Sequence, residues 1–335
     1  MQSMMGRAAF YMLFCLVGAA AQNGSFRVQT KVVQVPVTVT GKDGQPVDGL
    51  AARDFTVLDD GVPQKVTVDD FGTGLPRISL VIAIQTSGIS TPALASIRHI
   101  AGMIQPLVIG GRGEAAVVAF DSRIQWLQDI TPDDDKIESA VKNLKPGSSG
   151  AARMLDAISE VADHMQQRKG RKILLLISES RDRGSETKLP QAVEAVERQG
   201  IQVFAAHYSA YATSLIAKPK DLPETPSIET YSDDPEDPPN QPPGVDFMAM
   251  IAETARLGKT NAAKALTLVT GGSDFPFTKE RGIENAIKKL GLEVHSQYIL
   301  SFPQPKNAAG LHRIDVSAPD HNDFLIRSRR TYWAD

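Results

Sequence analysis

The stretch Ser79-Leu80-Val81-Ile82-Ala83-Ile84-Gln85-Thr86-Ser87-Gly88 decides the fold of this chain. The apolar run from Ile78 to Ile84 is continuous, which is typical of a parallel strand buried on both faces of a sheet. Polar residues follow directly after this run. Because open α/β sheets bind their ligands at the carboxyl ends of the strands, the segment predicts both a central strand and the place of a site.

The residues that follow this strand alternate between strand and helix patterns. Continuous apolar runs predict further strands, and apolar residues spaced three and four apart predict helices. The predicted strands are 114–120, an antiparallel edge at 123–127, 172–178 and 202–206, and the predicted helices are 92–107, 132–144, 153–167 and 190–199. This alternation predicts an α/β fold with a doubly wound, mostly parallel, Rossmann-like sheet.

The two ends of the chain have a different, β-rich pattern. Residues 26–71 are dense in β-branched residues and carry turn signals such as Asp59-Asp60-Gly61. Short strands are also predicted at 298–302, 312–317 and 324–330. Neither end has enough strands for a stable sheet, so we predict that they pair into a small β-sandwich with the central domain inserted between them. The predicted units are an N-terminal β module at 22–74, the α/β domain at 75–295 and completing strands at 296–335.

The first 21 residues have the pattern of a secretory signal peptide. Arg7 gives a positive start, residues 8–16 are apolar, and Ala19-Ala20-Ala21 offers a cleavage site before Gln22. A retained N-terminal anchor is the alternative, whereas lipidation at Cys15 is disfavoured because bulky residues precede it. We predict an exported protein, in the periplasm or at the cell exterior, without a transmembrane helix after signal removal.

A proline-rich acidic segment at 212–245 interrupts the alternation. From Pro223 to Pro243 it holds seven prolines and six acidic residues but no basic residue. Such a composition cannot bury a core, so a disordered loop is predicted. The segment is either an acidic contact arm or a tolerated surface insertion.

Composition excludes several classes of function. The 335 residues include 36 Lys and Arg against 39 Asp and Glu, a net charge of −3, and only 6% are aromatic. Nucleic-acid binding needs a basic face, so no nucleic-acid partner is expected. The single cysteine excludes a disulfide framework and a cysteine-based zinc site.

Residues 79–88 resemble the first strand and loop of a von Willebrand factor type A domain, whose loop usually has the pattern D-x-S-x-S. Leu174 to Glu179 is similar to a later strand of that family, and Leu155 to Ile158 to the helix after its threonine loop. Other segments resemble landmarks of the VWFA-related proteins first recognised in acidobacteria: Arg53 to Gln64, Val269 to Gly272, Gln297 to Leu300 and Arg330 to Ala334. The resemblance covers nearly the whole mature chain and implies a module for protein interaction or adhesion.

The resemblance also implies a divalent ion at the carboxyl ends of the strands, often completed by a carboxylate of the partner protein. The family's five ligands correspond to Gln85, Ser87, Ile89, Ala152 and Glu179. The side chains of Ile89 and Ala152 offer no oxygen, and that of Gln85 has no charge. Because removing water from Mg²⁺ is costly, we predict a degenerate metal site and no cofactor.

A rearranged Mg²⁺ site is the alternative. Ser90 would replace the missing serine if the first loop shifts by one residue, and Ser148 or Ser149 would replace the threonine in a re-registered second loop. Asp121 and Asp182 lie at the same edge and would add negative charge.

Without a metal, Ser87 and Ser90 are explained as helix caps, and recognition would rest on shape and polar contacts. The predicted partner is a protein, which would bind a rim drawn from three loops. The predicted rim consists of Gln85, Thr86, Ser87, Ser149, Arg153, Glu179, Arg181 and Asp182.

The sequence shows no paired catalytic constellation, which favours a non-enzymatic module. A hydrolase that uses Ser87 and His207 is the alternative from another class, although Ser87 lacks a G-x-S-x-G context. Asp133-Asp134-Asp135 is explained as a helix start rather than a calcium site. A purely structural role in the cell envelope also stays open.

Overall fold

The computed structural model describes residues 32–69, 77–111, 113–179, 181–208, 261–305, 309–321 and 323–334. The predicted signal peptide at 1–21, the first residues of the N-terminal β module and the acidic loop at 212–245 lie outside the described residues. Among the residues that are described, no helix combines the length and the apolar character needed to cross a bilayer.

Strands of the described residues belong either to a central sheet or to two flanking sheets. The central strands are β5 (Ile78–Gln85), β6 (Glu114–Phe120), β7 (Ile124–Thr131), β8 (Arg171–Ser178), β9 (Ile201–Tyr208) and β10 (Asp274–Phe277). The flanking strands are β1 (Val32–Thr40), β2 (Thr56–Asp59), β3 (Val62–Gln64), β4 (Thr67–Asp69), β11 (Tyr298–Pro303), β12 (Gly310–Ser317), β13 (Leu325–Ser328) and β14 (Thr331–Ala334).

The central sheet has the order β10-β9-β8-β5-β6-β7. All neighbouring strands are parallel except β7, which pairs antiparallel with β6. Numbered along the chain and read from β7, this is the doubly wound order 3-2-1-4-5-6. The predictions of a mostly parallel sheet and of an antiparallel edge are confirmed.

Both faces of this sheet are covered, as the apolar runs require. Every residue of β5 is buried. Leu80, Ile82 and Ile84 join the hydrophobic cluster on one face, and Val81 and Ala83 join the cluster on the other. At about 25 cal/mol per Å² of buried apolar surface, these two clusters supply the main stabilisation of the domain.

Seven helices are found among the described residues. They are α1 (Thr91–His99), α2 (Ala101–Ile104), α3 (Asp134–Lys142), α4 (Met154–His164), α5 (Leu189–Arg198), α6 (Ala262–Thr270) and α7 (Glu280–Ser296). The aspartates at 133–135 do begin a helix, since the Asp133 carboxylate accepts a hydrogen bond from the N–H of Lys136 at 3.3 Å. Helices α6 and α7 were not predicted. The apolar side of α7 packs in the same cluster as α1.

The predicted helix at 92–107 is interrupted. Helix α1 ends at His99, the short α2 follows, and a π-helical turn runs over Gln105–Ile109. Pro106 lacks the N–H that would bond to the carbonyl of Gly102, so the regular helical ladder cannot continue there.

The two ends of the chain meet in the flanking sheets. Val35 of β1 pairs with Leu300 of β11 in antiparallel register. The two sheets have the orders β13-β1-β11-β4 and β14-β12-β2-β3. Their strands contribute to one shared hydrophobic cluster, whose members include Val35, Val37, Val57, Leu300, Phe302, Ile314 and Tyr332.

The predicted strand at 324–330 is divided between these sheets. Strand β13 pairs with β1 and strand β14 pairs with β12, so the chain crosses from one sheet to the other at Arg329. Arg329 is buried at this crossing, where its Nη2 donates to Glu197 of α5 at 2.5 Å.

Two adjacent glycines allow close backbone approaches, Gly271 to the flanking strands and Gly272 to β9 of the central sheet. Gly271 ends α6 with a φ of 75°, and a Cβ there would lie 2.3 Å from the backbone nitrogen of Arg329. A Cβ on Gly272 would lie 1.9 Å from the carbonyl oxygen of Val203. The N–H of Arg330 donates to the carbonyl of Val269 at 2.9 Å. The VTGG segment therefore makes a backbone contact between the flanking strands and the central domain.

Candidate functional site

The carboxyl end of β5 lies beside that of β8. Ile84 pairs with Ile177 in parallel register, so Gln85 and Glu179 follow at the same edge of the sheet. The backbone N–H of Glu179 donates to Oε1 of Gln85 at 2.9 Å. Two positions that the resemblance assigns to metal ligands are thus joined directly by a hydrogen bond.

This bond fixes the orientation of the Gln85 amide. Because a backbone N–H can only donate, the amide oxygen faces Glu179 and the amide nitrogen faces the first loop. Nε2 of Gln85 donates to Oγ of Ser87 at 2.8 Å, and that oxygen lies 3.3 Å from Oγ of Ser90. The side chains that open the first loop therefore form a closed internal network.

The two serines do not cap a helix with their side chains, so that interpretation was wrong. Ser87 precedes a 3-10 turn at Gly88–Ser90, and Ser90 precedes α1, but neither side chain bonds to a helical N–H. Their hydroxyls instead bind the Gln85 amide and each other, which sequence spacing alone does not reveal.

The carboxylate of Glu179 is paired within the chain. Nη2 of Arg183 lies 3.1 Å from Oε1 and 2.9 Å from Oε2 of Glu179. The side chain of Glu179 is 13% exposed and that of Arg183 is 39% exposed. Arg183 was not among the predicted rim residues. Its position four residues after Glu179 was the sequence signal that could have identified the ion pair.

The loops of the site are tied together by backbone hydrogen bonds. Ala152 and Arg183 exchange two of them, at 2.9 and 2.8 Å, which joins the second loop to the third. The N–H of Gly88 donates to the carbonyl of Ser149 at 2.9 Å, and the N–H of Gly147 donates to that of Thr86 at 2.6 Å. The first loop is thereby fixed to the second.

Acidic side chains of the rim hold the start of α4. Oδ1 of Asp182 accepts from the N–H of Leu155 at 3.0 Å and from the hydroxyl of Ser185 at 2.6 Å. Asp156 accepts from the Nε of Arg153 at 2.6 Å and from the N–H of Thr187 at 2.8 Å. Although burial raises the pKa of Asp156, these hydrogen bonds outweigh it and lower the pKa to about 2. The anions thus stabilise the positive end of the helix.

Ser149 and Asp121, two other residues considered for a rearranged site, also have local partners. Oγ of Ser149 accepts from the N–H of Ala151 at 3.0 Å, and Oδ1 of Asp121 accepts from the N–H of Arg123 at 2.8 Å. Asp121 is 5% exposed. These contacts fix the side chains in their own loops.

The residues present do not fit a magnesium ion. Mg²⁺ needs oxygen ligands in a nearly octahedral array. Here an amide nitrogen of Gln85, a donor, faces the oxygen of Ser87, and a guanidinium already neutralises Glu179. A cation between these groups would meet N–H donors in place of lone pairs, and Ile89 and Ala152 add no side-chain oxygen.

Exposure divides the predicted rim into two layers. Gln85, Thr86 and Ser87 are buried, at 0%, 6% and 0% exposure, so they lie beneath the rim and cannot touch a partner in this conformation. The remaining predicted rim residues are at least partly exposed: Ser149, Arg153, Glu179, Arg181 and Asp182. Gly184 and Glu186, which were not predicted, are exposed beside them.

Ser87 and His207 are not arranged as a nucleophile and its base. Strand β8 lies between the strands that carry them, which separates them by roughly 10 Å, two strand spacings. Nδ1 of His207 lies 2.6 Å from Oδ1 of Asp274. The partners of the Ser87 hydroxyl are Gln85 and Ser90.

Tyr208, at the end of β9, is a further residue that the sequence did not single out. Its ring packs edge-on against Phe277 with centroids 5.5 Å apart, and it is 1% exposed. Burial raises the pKa of its phenol; the Ser90 hydroxyl opposes this shift and the charge of Glu179 adds to it.

No protein-family model matches the chain, and no curated protein matches it. Solved structures with a similar fold include a von Willebrand factor type A protein from Catenulispora acidiphila, at 11% identity over 92% of this chain and 76% of that chain, with a TM-score of 0.45. Another is the conserved hypothetical protein BatB from Bacteroides thetaiotaomicron, at 14% identity over 64% of this chain and 96% of that chain, with a TM-score of 0.39.

A third is the vWF domain of the type V pili tip protein Mfa5 from Porphyromonas gingivalis, at 17% identity over 33% of this chain, with a TM-score of 0.29. This match spans 40% of the length of that structure. These likenesses concern the fold alone, at TM-scores between 0.29 and 0.45.

Proposed function

We propose that this chain is an exported, non-enzymatic module for protein–protein interaction or adhesion that binds its partner without a metal ion. The metal-free part of the proposal rests on the contacts at the carboxyl ends of β5 and β8, where the resemblance implies metal ligands. The Gln85 amide bridges the first and third loops, and Arg183 supplies the positive charge that Glu179 requires.

The partner surface of this proposal is the outer layer of the rim. It consists of Ser149, Arg153, Glu179, Arg181 and Asp182, with Gly184 and Glu186 beside them. Backbone bonds between the loops already fix this surface, so little conformational entropy would be lost when a partner binds.

The flanking sheets support this rim from the opposite end of the central domain. In the proposal they form a β-sandwich base, with units at 22–74 and 296–335 around the central domain at 75–295. The antiparallel pairing of β1 with β11 and the shared apolar cluster support this organisation.

Metal independence is tested by melting the chain with and without Mg²⁺. A site-restored variant provides the comparison: Gln85→Asp, Ile89→Ser, Ala152→Thr and Arg183→Ala together return the missing oxygens and free Glu179. We expect Mg²⁺ to raise the melting temperature of this variant and to leave that of the natural chain unchanged. A ligand at a hundredfold excess over its Kd stabilises the folded state by about 2.7 kcal/mol, which is readily detected.

Specific stabilisation of the natural chain by Mg²⁺ would overturn the metal-free proposal. The result for the natural chain tests metal independence even where the site-restored variant folds poorly.

Partner binding is tested with the exported proteins of the source cell. The natural chain, the rim variant Arg181→Glu and the control Arg53→Glu are immobilised in parallel; Arg53 is exposed but lies on the flanking part. We expect one specific partner on the natural chain and the control, and its loss on the rim variant. Equal capture by all three would contradict the rim, and no specific capture would favour a structural envelope role.

Export is tested by the N-terminus of the protein recovered outside the cytoplasm. Cleavage after Ala21 would leave Gln22 as the first residue. A cytoplasmic protein that retains Met1 would contradict export.

A further inference from the structure

A cluster in the flanking sheets, distant in sequence from the rim, brings one imidazole against two carboxylates. Nδ1 of His312 lies 3.1 Å from Oδ1 of Asp59 and 2.9 Å from Oδ2 of Asp60. All three atoms lie within 4.8 Å of one another. The cluster has no part in the contacts that form the rim.

A tight hairpin turn and the pairing of β12 with β2 set the positions of these side chains. Asp59 pairs with Val62, which leaves Asp60 and Gly61 as a two-residue hairpin turn with φ angles of 47° and 81°. This is the geometry that an Asp-Gly pair favours in a tight hairpin. Strand β12 runs on the other side of β2, with Ile314 opposite Asp59, and brings His312 to the turn.

Each carboxylate has one oxygen held by a donor and one directed at His312. The hydroxyl of Tyr332 donates to Oδ2 of Asp59 at 2.9 Å. The backbone N–H of Arg313 donates to Oδ1 of Asp60 at 2.9 Å. Outer hydrogen bonds of this kind orient the carboxylates that ligate metals in proteins.

The remaining carboxylate oxygens, one from Asp59 and one from Asp60, both lie close to the same imidazole nitrogen of His312. Nδ1 carries at most one hydrogen, whether the ring is neutral or charged, yet two carboxylate oxygens lie within 3.1 Å of it. The side chain of Asp59 is 3% exposed and that of His312 is 9% exposed, whereas that of Asp60 is 54% exposed, so water reaches only one of the two anions. A single cation at the centre would serve all three atoms at once.

We propose that Asp59, Asp60 and His312 bind one divalent transition-metal ion, of which Zn²⁺ is the representative. One imidazole nitrogen with two carboxylate oxygens is a donor set that suits Zn²⁺ better than Mg²⁺ or Ca²⁺, which prefer oxygen alone. Ligand atoms at about 2.1 Å from a tetrahedral ion lie about 3.4 Å apart. The two N···O separations therefore need to open by only a few tenths of an ångström from 3.1 and 2.9 Å.

The site has an entrance on the side of the hairpin turn. Asp60 has a side chain that is 54% exposed, in contrast to the two buried ligands. The fourth position of the ion would face this side and take a water molecule. The ion would join β2 to β12, and thus an N-terminal strand to a C-terminal strand.

The test is a calorimetric titration of the full chain, freed of metal by chelation, with Zn²⁺ alone and with Mg²⁺ alone. We expect one Zn²⁺ per chain, a rise in melting temperature, and no comparable binding of Mg²⁺. Asp60→Asn and His312→Gln should each weaken Zn²⁺ binding by at least tenfold. Asn tolerates the positive φ at position 60, so Asp60→Asn keeps the test valid where the buried variant folds poorly.

Two further variants distinguish specific binding of Zn²⁺ at this cluster from nonspecific binding of Zn²⁺ to surface residues. Tyr332→Phe removes only the hydroxyl that orients Asp59, and we expect a 10- to 100-fold loss of affinity. His164→Gln removes the imidazole that faces the single carboxylate of Asp129, and we expect no change. Absence of Zn²⁺ binding, a preference for Mg²⁺, or equal binding by the Asp60→Asn and His312→Gln variants would each overturn the proposal.

Discussion

The guanidinium of Arg183 lies within hydrogen-bonding distance of both carboxylate oxygens of Glu179, at 3.1 and 2.9 Å. Glu179 is the one anion that this chain retains among the five positions where the resemblance implies metal ligands. A side chain from the same loop thus supplies the positive charge that a bound cation would otherwise supply. The contribution of individual residues at this site to the stability of the chain can be measured with single substitutions.

Arg183→Ala should destabilise the chain moderately. The pair is partly exposed, so water screens it, and we expect a loss of about 1 kcal/mol in the free energy of unfolding by urea. The loss should shrink at high salt. Arg181→Ala, an exposed residue of the same loop, serves as the control and should change little. An Arg183→Ala chain as stable as the natural one at low salt would show that Glu179 does not depend on this pairing.

Gln85→Leu should cost more than Arg183→Ala, because the amide is fully buried. Leucine keeps the volume but leaves the N–H of Glu179 without its acceptor and Ser87 without its donor. A buried group that loses its partner costs about 1–3 kcal/mol, so we expect a loss in this range. Gln125→Leu on the exposed side of β7 is the matched control. Equal urea midpoints for the two variants would contradict the bridging role of Gln85.

The sequence was sufficient for five of the six central strands, but not for β10 or for the hydrogen-bond network at the carboxyl ends of the strands. Apolar runs such as Ile78–Ile84 predict buried strands because burial on both faces leaves no room for polar side chains. The inward orientation of Ser87 depends on the amide of Gln85, which is set by the N–H of Glu179 in the loop after β8. Such a chain of contacts across 94 residues leaves no local pattern.

Pro106 was a local sequence signal for the interruption of the predicted helix at 92–107. Helix α7 was not predicted, although its apolar residues have helical spacing. Its packing against the π-helical turn rests on a glycine. A Cβ on Gly291 would lie 2.2 Å from the carbonyl oxygen of Leu107, which is backbone and cannot move aside cheaply.

Gly291→Ala should therefore destabilise the chain even though alanine favours helices. We expect a net loss of roughly 1–3 kcal/mol, as for other overpacked sites. Gly102→Ala in α2 is the control, because its Cβ would meet only the end of the Glu138 side chain, at 3.6 Å. There the helix preference should prevail and stabilise the chain by up to about 1 kcal/mol. A stabilised Gly291→Ala chain would show that α7 does not pack tightly on this turn.

The contact between Glu197 and Arg329 should make stability depend on pH. Burial raises the pKa of Glu197 from 4.5 to about 7, against the opposing effect of the Arg329 charge. In this window the folded chain holds a proton that the unfolded chain has lost. The stabilisation from this proton is therefore fully present below pH 4.5 and is lost as the pH rises towards 7.

Urea unfolding at several pH values between 4.5 and 7 measures this loss. One proton changes the free energy of unfolding by at most about 1.4 kcal/mol per pH unit. Glu197→Gln should remove this part of the slope, because glutamine does not titrate. Other groups contribute equally to the slopes of the two chains, so the difference between the slopes isolates Glu197. Asp156, whose lowered pKa is about 2, titrates below this window.

Glu194→Gln is the matched control, since Glu194 lies on the same helix with a side chain that is 46% exposed and pairs with Arg198. Its slope between pH 4.5 and 7 should match that of the natural chain. If Glu197→Gln also keeps the natural slope, Glu197 is ionised throughout, and the contact with Arg329 is a permanent ion pair. If only Glu197→Gln flattens the slope, the junction between α5 and the flanking strands holds a proton at mildly acidic pH, and this part of the fold is most stable there.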